Sequence, residues 1–222
     1  MIPPGQDAEF VSRMEPVLDV YERPFDPDRP VVGVDEAGVQ LVEEVRNPVP
    51  AAPGRPARVD YEYKRNGTAN LFVATQPLLG WREVVVTDRR TALDFAGFLK
   101  HLADDIYAEA EKVTLVLDNL NTHTPAALYQ AFEPAEAHRL AARFEWVYTP
   151  KHGSWLNVAE LEFAALRRQC LGRRIGSMDE LRAEVEAWQD ERNERAVEID
   201  WQFTTADARI RLRHLYPQIQ PR

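Results

Sequence analysis

The sequence predicts an α/β fold in which a mixed β-sheet is flanked by helices on both faces. Two apolar runs, VVGVD (31–35) and VTLVLD (113–118), have the length and the β-branched content of buried central strands. Strand-like segments fill much of the chain between the two runs, and helical and strand patterns alternate after the second. A meander followed by alternating helices and strands is typical of a mixed sheet covered on both sides.

The first half of the chain is predicted to contain a helix over 8–21 and then the strand over 31–35. The Pro- and Gly-rich segment over 47–59 predicts an irregular loop. Asn66-Gly67 predicts a hairpin turn, because both residues tolerate positive φ. Three further strands are predicted around that turn and beyond it, over 59–65, 70–76 and 81–89.

In the second half, Thr91 is the predicted N-cap of a helix that runs to about Glu111. The strand over 113–118 is followed by a further helix, by a strand over 144–149, and by helices over 157–171 and 177–194. Ser177 and Glu180 have the spacing of a capping box.

Length and composition indicate one globular core. The chain has 222 residues, 45% of them hydrophobic and 28% charged. Its apolar runs are too short to span a bilayer, and the start MIPPGQDAEF lacks the pattern of a signal peptide, so we expect no membrane partner and a cytoplasmic location. The single cysteine, Cys170, is predicted to be a core residue and not a nucleophile.

The charge distribution bears on DNA as a partner. The formal net charge of −9 argues against a simple electrostatic DNA-binding protein. From residue 139 to 174, however, seven Lys or Arg face three Glu, a local balance of +4. The net charge therefore does not exclude DNA binding.

Three acidic residues carry the main functional prediction. Asp35 and Asp118 end the two apolar runs, and Glu160 opens a helix. Open α/β sheets bind ligands at the carboxyl ends of their strands, and carboxylates that converge there suit Mg²⁺. Either Asp alone is as well explained by a strand-ending turn or a helix cap, and Glu36 and Glu162 compete with Glu160. The joint pattern favours a two-metal site of the kind that cleaves phosphodiesters.

The segments TLVLDNLNTHT and YTPKHGSWLNVAELEF resemble the catalytic core of DDE transposases of the mariner superfamily, in the bacterial branch typified by insertion sequence 630. The matching features are Asp118-Asn119, a His shortly afterwards at 123, Thr149-Pro150, and Leu156-Asn157 three residues before Glu160. Asp35 lies in the apolar-Asp-Glu context of the family's first acid. The resemblance extends from about residue 30 to 215.

This resemblance implies a ribonuclease H-like fold and a divalent-metal-dependent DNA endonuclease and strand transferase, with Mg²⁺ as cofactor and Mn²⁺ able to substitute. It makes Asp35, Asp118 and Glu160 both the catalytic residues and the metal ligands. The 41 residues between Asp118 and Glu160 are more than is typical of many members. Residues 31–215 would form the catalytic domain, after an N-terminal extension or linker (1–30) and before a tail (216–222).

The implied partner is DNA, both transposon ends and target, which would place the protein at the nucleoid. The 34 residues before Asp35 are too few for helix-turn-helix end-recognition modules, so we expect such a module to be missing or separately encoded. A homodimer is left open. The alternative hypothesis is a truncated, non-catalytic remnant that oligomerises and binds DNA.

Supporting residues around the three acids are predicted to contact DNA, and several have an equally good structural role. His123 could contact a phosphate or cap the next helix. Asn157 could bond the substrate, fix Glu160 or cap its helix. The full set of predicted DNA-contacting residues is Asn119, His123, Lys151, His152, Asn157, Arg167, Arg168, Arg173 and Arg174.

Overall fold

The computed structural model describes residues 2–3, 5–46, 49–56 and 61–218. Five strands form one sheet in the order β3-β2-β1-β4-β5: β1 (Val31–Glu44), β2 (Tyr63–Gln76), β3 (Trp81–Thr87), β4 (Val113–Leu117) and β5 (Phe144–Tyr148). β2 pairs antiparallel with both β1 and β3, whereas β4 and β5 run parallel to β1. The predicted mixed sheet is confirmed.

Seven α-helices surround this sheet in the described ranges: α1 (Ala8–Tyr21), α2 (Ala92–His101), α3 (Ala126–Ala131), α4 (Pro134–Ala142), α5 (Ala159–Gln169), α6 (Met178–Glu194) and α7 (Thr205–Arg211). A π-helical turn over Leu102–Ile106 extends α2, so the helix predicted to reach about Glu111 ends earlier. Thr91 caps α2 as predicted, with a complete capping box to Asp94. None of the helices in the described part of the chain is long and apolar enough to cross a membrane.

Side-chain alternation along the strands separates two cores. Val32, Val34 and Leu115 face a cluster that includes residues of α2, α3 and α4. Leu71 and Val73 face a second cluster under α5 and α6. The helices therefore cover both faces of the sheet, as the sequence predicts.

A third cluster contains both ends of the described chain. Phe10, Met14 and Leu18 of α1 are at most 3% exposed and pack with Val116 of β4 and Ala208 of α7. Asp7 caps α1 through a hydrogen bond from the Phe10 amide (2.9 Å). The N-terminal helix is thus part of the core, although it lies within the predicted extension.

The prediction of a hairpin turn at Asn66-Gly67 is wrong. Both residues lie inside β2, where Arg65 pairs with Val42 and Thr68 with Gln40, so two residues of β2 oppose one of β1. This is a β-bulge, and Gly67 adopts the positive φ (98°) that such a bulge uses. The strand predicted from residue 59 lies partly outside the described residues, because 57–60 are not described, and its described part joins β2 from Tyr63.

Candidate metal-dependent nuclease site

Asp35 and Asp118 lie side by side on neighbouring parallel strands. Val31, Val32 and Gly33 of β1 pair with Thr114, Leu115 and Val116 of β4. Two residues further along this register, Asp35 is level with Asp118. Since side chains two positions apart on a strand share a face, both acids project on the face that α5 covers.

Asp35 differs from its prediction in one respect. It does not end its strand, because β1 continues to Glu44 in antiparallel pairing with β2. What ends near Asp35 is the pairing with β4. Asp35 therefore lies just beyond the pairing of β1 with β4, while its backbone remains paired with β2. Its side chain is accessible at the carboxyl end of β4.

Glu160 lies in the first turn of α5, and α5 starts against β1. The Asn157 side chain is 1% exposed; its amide donates to Val34 O (2.9 Å) and its Oδ1 accepts from the Ala159 amide (3.1 Å). Gly33 allows this close approach, since a Cβ there would lie 2.4 Å from Val158 Cγ2. Of the roles left open for Asn157, these contacts favour fixing the helix that carries Glu160.

The three acids interact electrostatically. Burial raises the pKa of Asp35 to about 7, the Glu36 amide lowers it by hydrogen bonding (2.8 Å), and repulsion from Asp118 and Glu160 raises it further. Glu160 is exposed to solvent. A site that disfavours the Asp35 anion in this way is stabilised by any cation that binds there.

His123 is buried beside Asp118. Its Nδ1 lies 2.5 Å from Asp118 Oδ1 and its Nε2 lies 3.3 Å from Glu36 Oε2. Burial alone would lower the pKa of His123, but the hydrogen bonds to Asp118 and Glu36 outweigh it and raise the pKa to about 9. The protonated ring then donates from both nitrogens, and Phe95 packs against it (4.5 Å between ring centroids).

The two competing glutamates have other partners. Glu162 is 1% exposed and forms ion pairs with Arg82 (3.4 Å) and Arg192 (3.1 Å). Glu36 is bonded to His123 and lies 3.8 Å from Arg90. Because both carboxylates are held by cationic side chains, Glu160 is the glutamate most available to the two aspartates.

A cavity of about 390 Å³ adjoins Asp118. The loop over 149–154 forms one wall and the first turns of α1 form another, so that the lining includes Asn119, Lys151, His152 and, from α1, Arg13. His152 adopts a positive φ of 64°, which is uncommon for a residue with a side chain. Lys151 and His152 are exposed, so the structure brings two of the predicted DNA-contacting residues to the mouth of the acidic site.

The four predicted arginines differ in their surroundings. Arg167 and Arg168 are exposed on α5, and Arg167 stacks on Phe163 (5.9 Å). Arg173 pairs with Glu180 and Glu184 (2.7 Å each), and Arg174 pairs with Glu44 (2.5 Å). The two arginines beyond α5 therefore already neutralise carboxylates of this chain.

Sequence reasoning missed three contributors: Arg13, Tyr21 and the Glu36–His123 bond. Arg13 and Tyr21 lie on α1, more than a hundred residues from the segments they approach, so no local pattern reports them. The Glu36–His123 bond had a weak signal. Asp35-Glu36 and Asp118 with His123 end adjacent predicted strands, which brings those side chains to one edge.

Comparison with known proteins identifies the family of this chain. The family model for DDE superfamily endonucleases matches residues 30–182. A comparison with curated proteins found no match.

Among solved structures, the Mos1 mariner paired-end complex with Mg superposes with a TM-score of 0.58 at 17% identity, over 98% of this chain and 66% of that one. The paired-end complex with Mn gives 0.56 at 17% identity, over 89% and 61%. The Mos1 strand transfer complex gives 0.56 at 18% identity, over 85% and 56%. This chain spans about three-fifths of the length of the Mos1 chain in the complex with Mn. It shares the ribonuclease H-like fold of these structures.

Proposed function

Because the chain belongs to the DDE superfamily endonucleases, we propose that it is the catalytic part of a transposase of the mariner superfamily, in the branch typified by insertion sequence 630. It cleaves DNA at transposon ends and joins the freed 3′-hydroxyl to target DNA. The observation that carries this proposal is the pairing of β1 with β4, which brings Asp35 level with Asp118 beside the start of the Glu160 helix.

Asp35, Asp118 and Glu160 would hold the divalent cations. Their oxygen donors suit Mg²⁺ or Mn²⁺. Burial and then repulsion from Asp118 and Glu160 raise the pKa of Asp35, and a bound cation would offset both effects. Within the ranges that the structure describes, no three His, Cys, Asp or Glu side chains stand close enough together to hold a metal ion. Binding would therefore draw the exposed Glu160 side chain towards the two aspartates. When bound, the cations supply activation of the attacking oxygen and stabilisation of the leaving oxygen.

The remaining residues would orient these ligands. His123, held between Asp118 and Glu36, fixes one Asp118 oxygen and leaves the other available. Asn157 fixes the start of α5 against β1. In these roles neither side chain contacts DNA directly.

DNA would approach over the cavity beside Asp118. Asn119, Lys151, His152 and Arg13 line it, and Arg167 with Arg168 extends the cationic surface along α5. Lys and Arg at such positions bind phosphates and set the register of the duplex without reading its sequence. Arg173 and Arg174 would contribute less, because their charges already serve internal ion pairs.

The test is nicking of supercoiled plasmid by the purified chain in Mn²⁺ or Mg²⁺. We expect the wild-type chain to nick and Asp118→Ala to lose at least a hundredfold in rate, while Asp190→Ala, an exposed aspartate of α6, stays at the wild-type rate. Joining of a 3′-hydroxyl oligonucleotide to the plasmid would report strand transfer.

Equal nicking by Asp118→Ala and wild type would remove the assigned site. Tight DNA binding without nicking by the wild-type chain would support the alternative of a non-catalytic remnant. A single oligomeric species larger than the monomer in sizing with DNA would support a homodimer.

A further inference from the structure

The hydroxyl of Tyr21, in the last turn of α1, joins the N-terminal helix to the segment that leads into Glu160. It donates to Leu156 O (2.8 Å) and accepts from the Val158 amide (3.2 Å). Both hydrogen bonds are buried, and they span 135 and 137 residues of sequence. Two bonds from one hydroxyl therefore fix the backbone on both sides of Asn157.

The Tyr21 hydroxyl is the hydrogen-bond acceptor for the Val158 amide at the start of α5. Val158 is the N-cap of α5, where an amide lacks an acceptor within the helix. Its own side chain forms no capping hydrogen bond, and Asn157 Oδ1 accepts from the next amide, that of Ala159. Tyr21 supplies an oxygen in place of such a cap. Burial raises the pKa of Tyr21, so the hydroxyl stays protonated and continues to donate to Leu156 O.

Tyr21 is itself held rigidly. Its side chain is buried in the cluster that joins α1 to the C-terminal segment, and Trp201 packs on its ring (4.9 Å between centroids). The start of α5 is thus clamped from two sides, by Asn157 to β1 and by Tyr21 to α1.

We propose that Tyr21 is a positioning residue of the acidic site: its hydroxyl fixes where α5 begins and hence where Glu160 stands relative to Asp35 and Asp118. This makes α1, which precedes the residues matched by the family model, part of the functional apparatus. The kinetic part of the inference rests on the proposed nuclease function, whereas the structural part does not. Small displacements of catalytic groups reduce rates strongly, so the loss of two hydrogen bonds at this point has a measurable effect.

The test compares Tyr21→Phe with Tyr107→Phe in the full chain. Both changes remove only a hydroxyl; that of Tyr107 donates to Gln76 Oε1 (3.3 Å), and its ring packs on Trp81, with neither partner in α5. In Tyr21→Phe we expect amide exchange of Val158 to speed up at least tenfold. We also expect a several-fold higher Mn²⁺ concentration at half-maximal thermal stabilisation, and a nicking rate at saturating DNA about tenfold lower with the KM for DNA unchanged. Tyr107→Phe should leave all three quantities unchanged.

Unchanged exchange of Val158 in Tyr21→Phe would overturn the proposal, as would faster exchange with unaltered Mn²⁺ dependence and nicking. Equal effects in Tyr107→Phe would show a general loss of stability and would also overturn it. If the wild-type chain does not nick DNA, the proposed function fails, and exchange and Mn²⁺ dependence still decide the role of Tyr21.

Discussion

At the residue scale, the fold disfavours the charged form of Asp35. Its pKa is raised from 3.8 to about 7, chiefly by burial and then by Asp118 and Glu160. Between these two pH values the folded state keeps a proton on Asp35 that the unfolded state releases. The contribution of Asp35 to stability is therefore greatest below pH 3.8 and falls as pH rises towards 7.

Asp35→Asn removes this penalty. In EDTA we expect it to raise the free energy of unfolding by about 2 kcal/mol at pH 8 and to have little effect near pH 4, as measured by urea titration. Asp190→Asn, at an exposed position, is the matched control and should show no such pH dependence. A gain of equal size at both pH values would contradict the assignment of this pKa.

The ion pairs of Glu162 give the second residue-scale prediction. Arg82 is fully buried, and it bonds Asn193 and Val197 O as well as Glu162. In Glu162→Gln the guanidinium loses its only anionic partner among the described contacts, so we expect a loss of about 3 kcal/mol in urea unfolding. Glu184→Gln removes a partner of Arg173 whose side chain is 42% exposed, and it should cost less than about 1 kcal/mol. Equal losses in the two variants would refute the buried network.

At the element scale, the close packing of the start of α5 against β1 depends on Gly33, which has no side chain. We expect Gly33→Ala to push α5 away from the sheet, to destabilise the protein by about 2 kcal/mol and to reduce nicking, since a Cβ would overlap Val158. Gly97→Ala is the matched control. Gly97 lies exposed in the middle of α2 with nothing within 4 Å of an added Cβ, so the same change there should stabilise the helix by about 0.5–1 kcal/mol. Thermal and urea unfolding of both variants would measure this difference.

The elements also show what a single sequence can predict. Helices with a capping side chain and a strong apolar period were placed to within a residue or two, such as α1 and α6. Asn66-Gly67 predicts a turn because its tolerance of positive φ is a local property, whereas its use as a bulge depends on the partner strand. The same limit explains why β1 was predicted to end at Asp35: its outer half is stabilised by pairing with β2 and not by its own apolar content.

The residues of the candidate site also fall into two groups: those that local sequence predicts, and those whose surroundings depend on distant parts of the chain. Asp35, Asp118 and Glu160 could be proposed from strand ends and motifs, and the neighbouring position of β1 and β4 is what the fold class implies. The buried surroundings of His123 and Asn157 could not, because each depends on a partner more than eighty residues away. Tyr21 bonds partners 135 and 137 residues away in sequence, and neither it nor Arg13 belongs to a motif.

At the scale of the whole molecule, the distribution of charge decides how an acidic protein can bind DNA. The net charge of −9 repels a polyanion, yet Arg167 and Arg168 stand exposed on the helix that carries Glu160. Each phosphate contact contributes to the salt dependence of binding, with a slope of about −0.9 in log K against log salt concentration. Replacing two contacting arginines should therefore flatten the slope by about 1–2.

We expect this flattening in the double variant Arg167→Gln/Arg168→Gln, measured by fluorescence anisotropy of a labelled duplex in Ca²⁺ from low to moderate salt. The control is Arg182→Gln/Arg195→Gln, which changes the net charge equally but removes arginines that pair with Asp179 and Glu191 of α6. Both double variants weaken the long-range attraction of DNA equally, but only Arg167→Gln/Arg168→Gln removes direct phosphate contacts if DNA lies along α5. In that case only Arg167→Gln/Arg168→Gln flattens the slope. Equal slopes in the two variants would place the DNA elsewhere on the molecule.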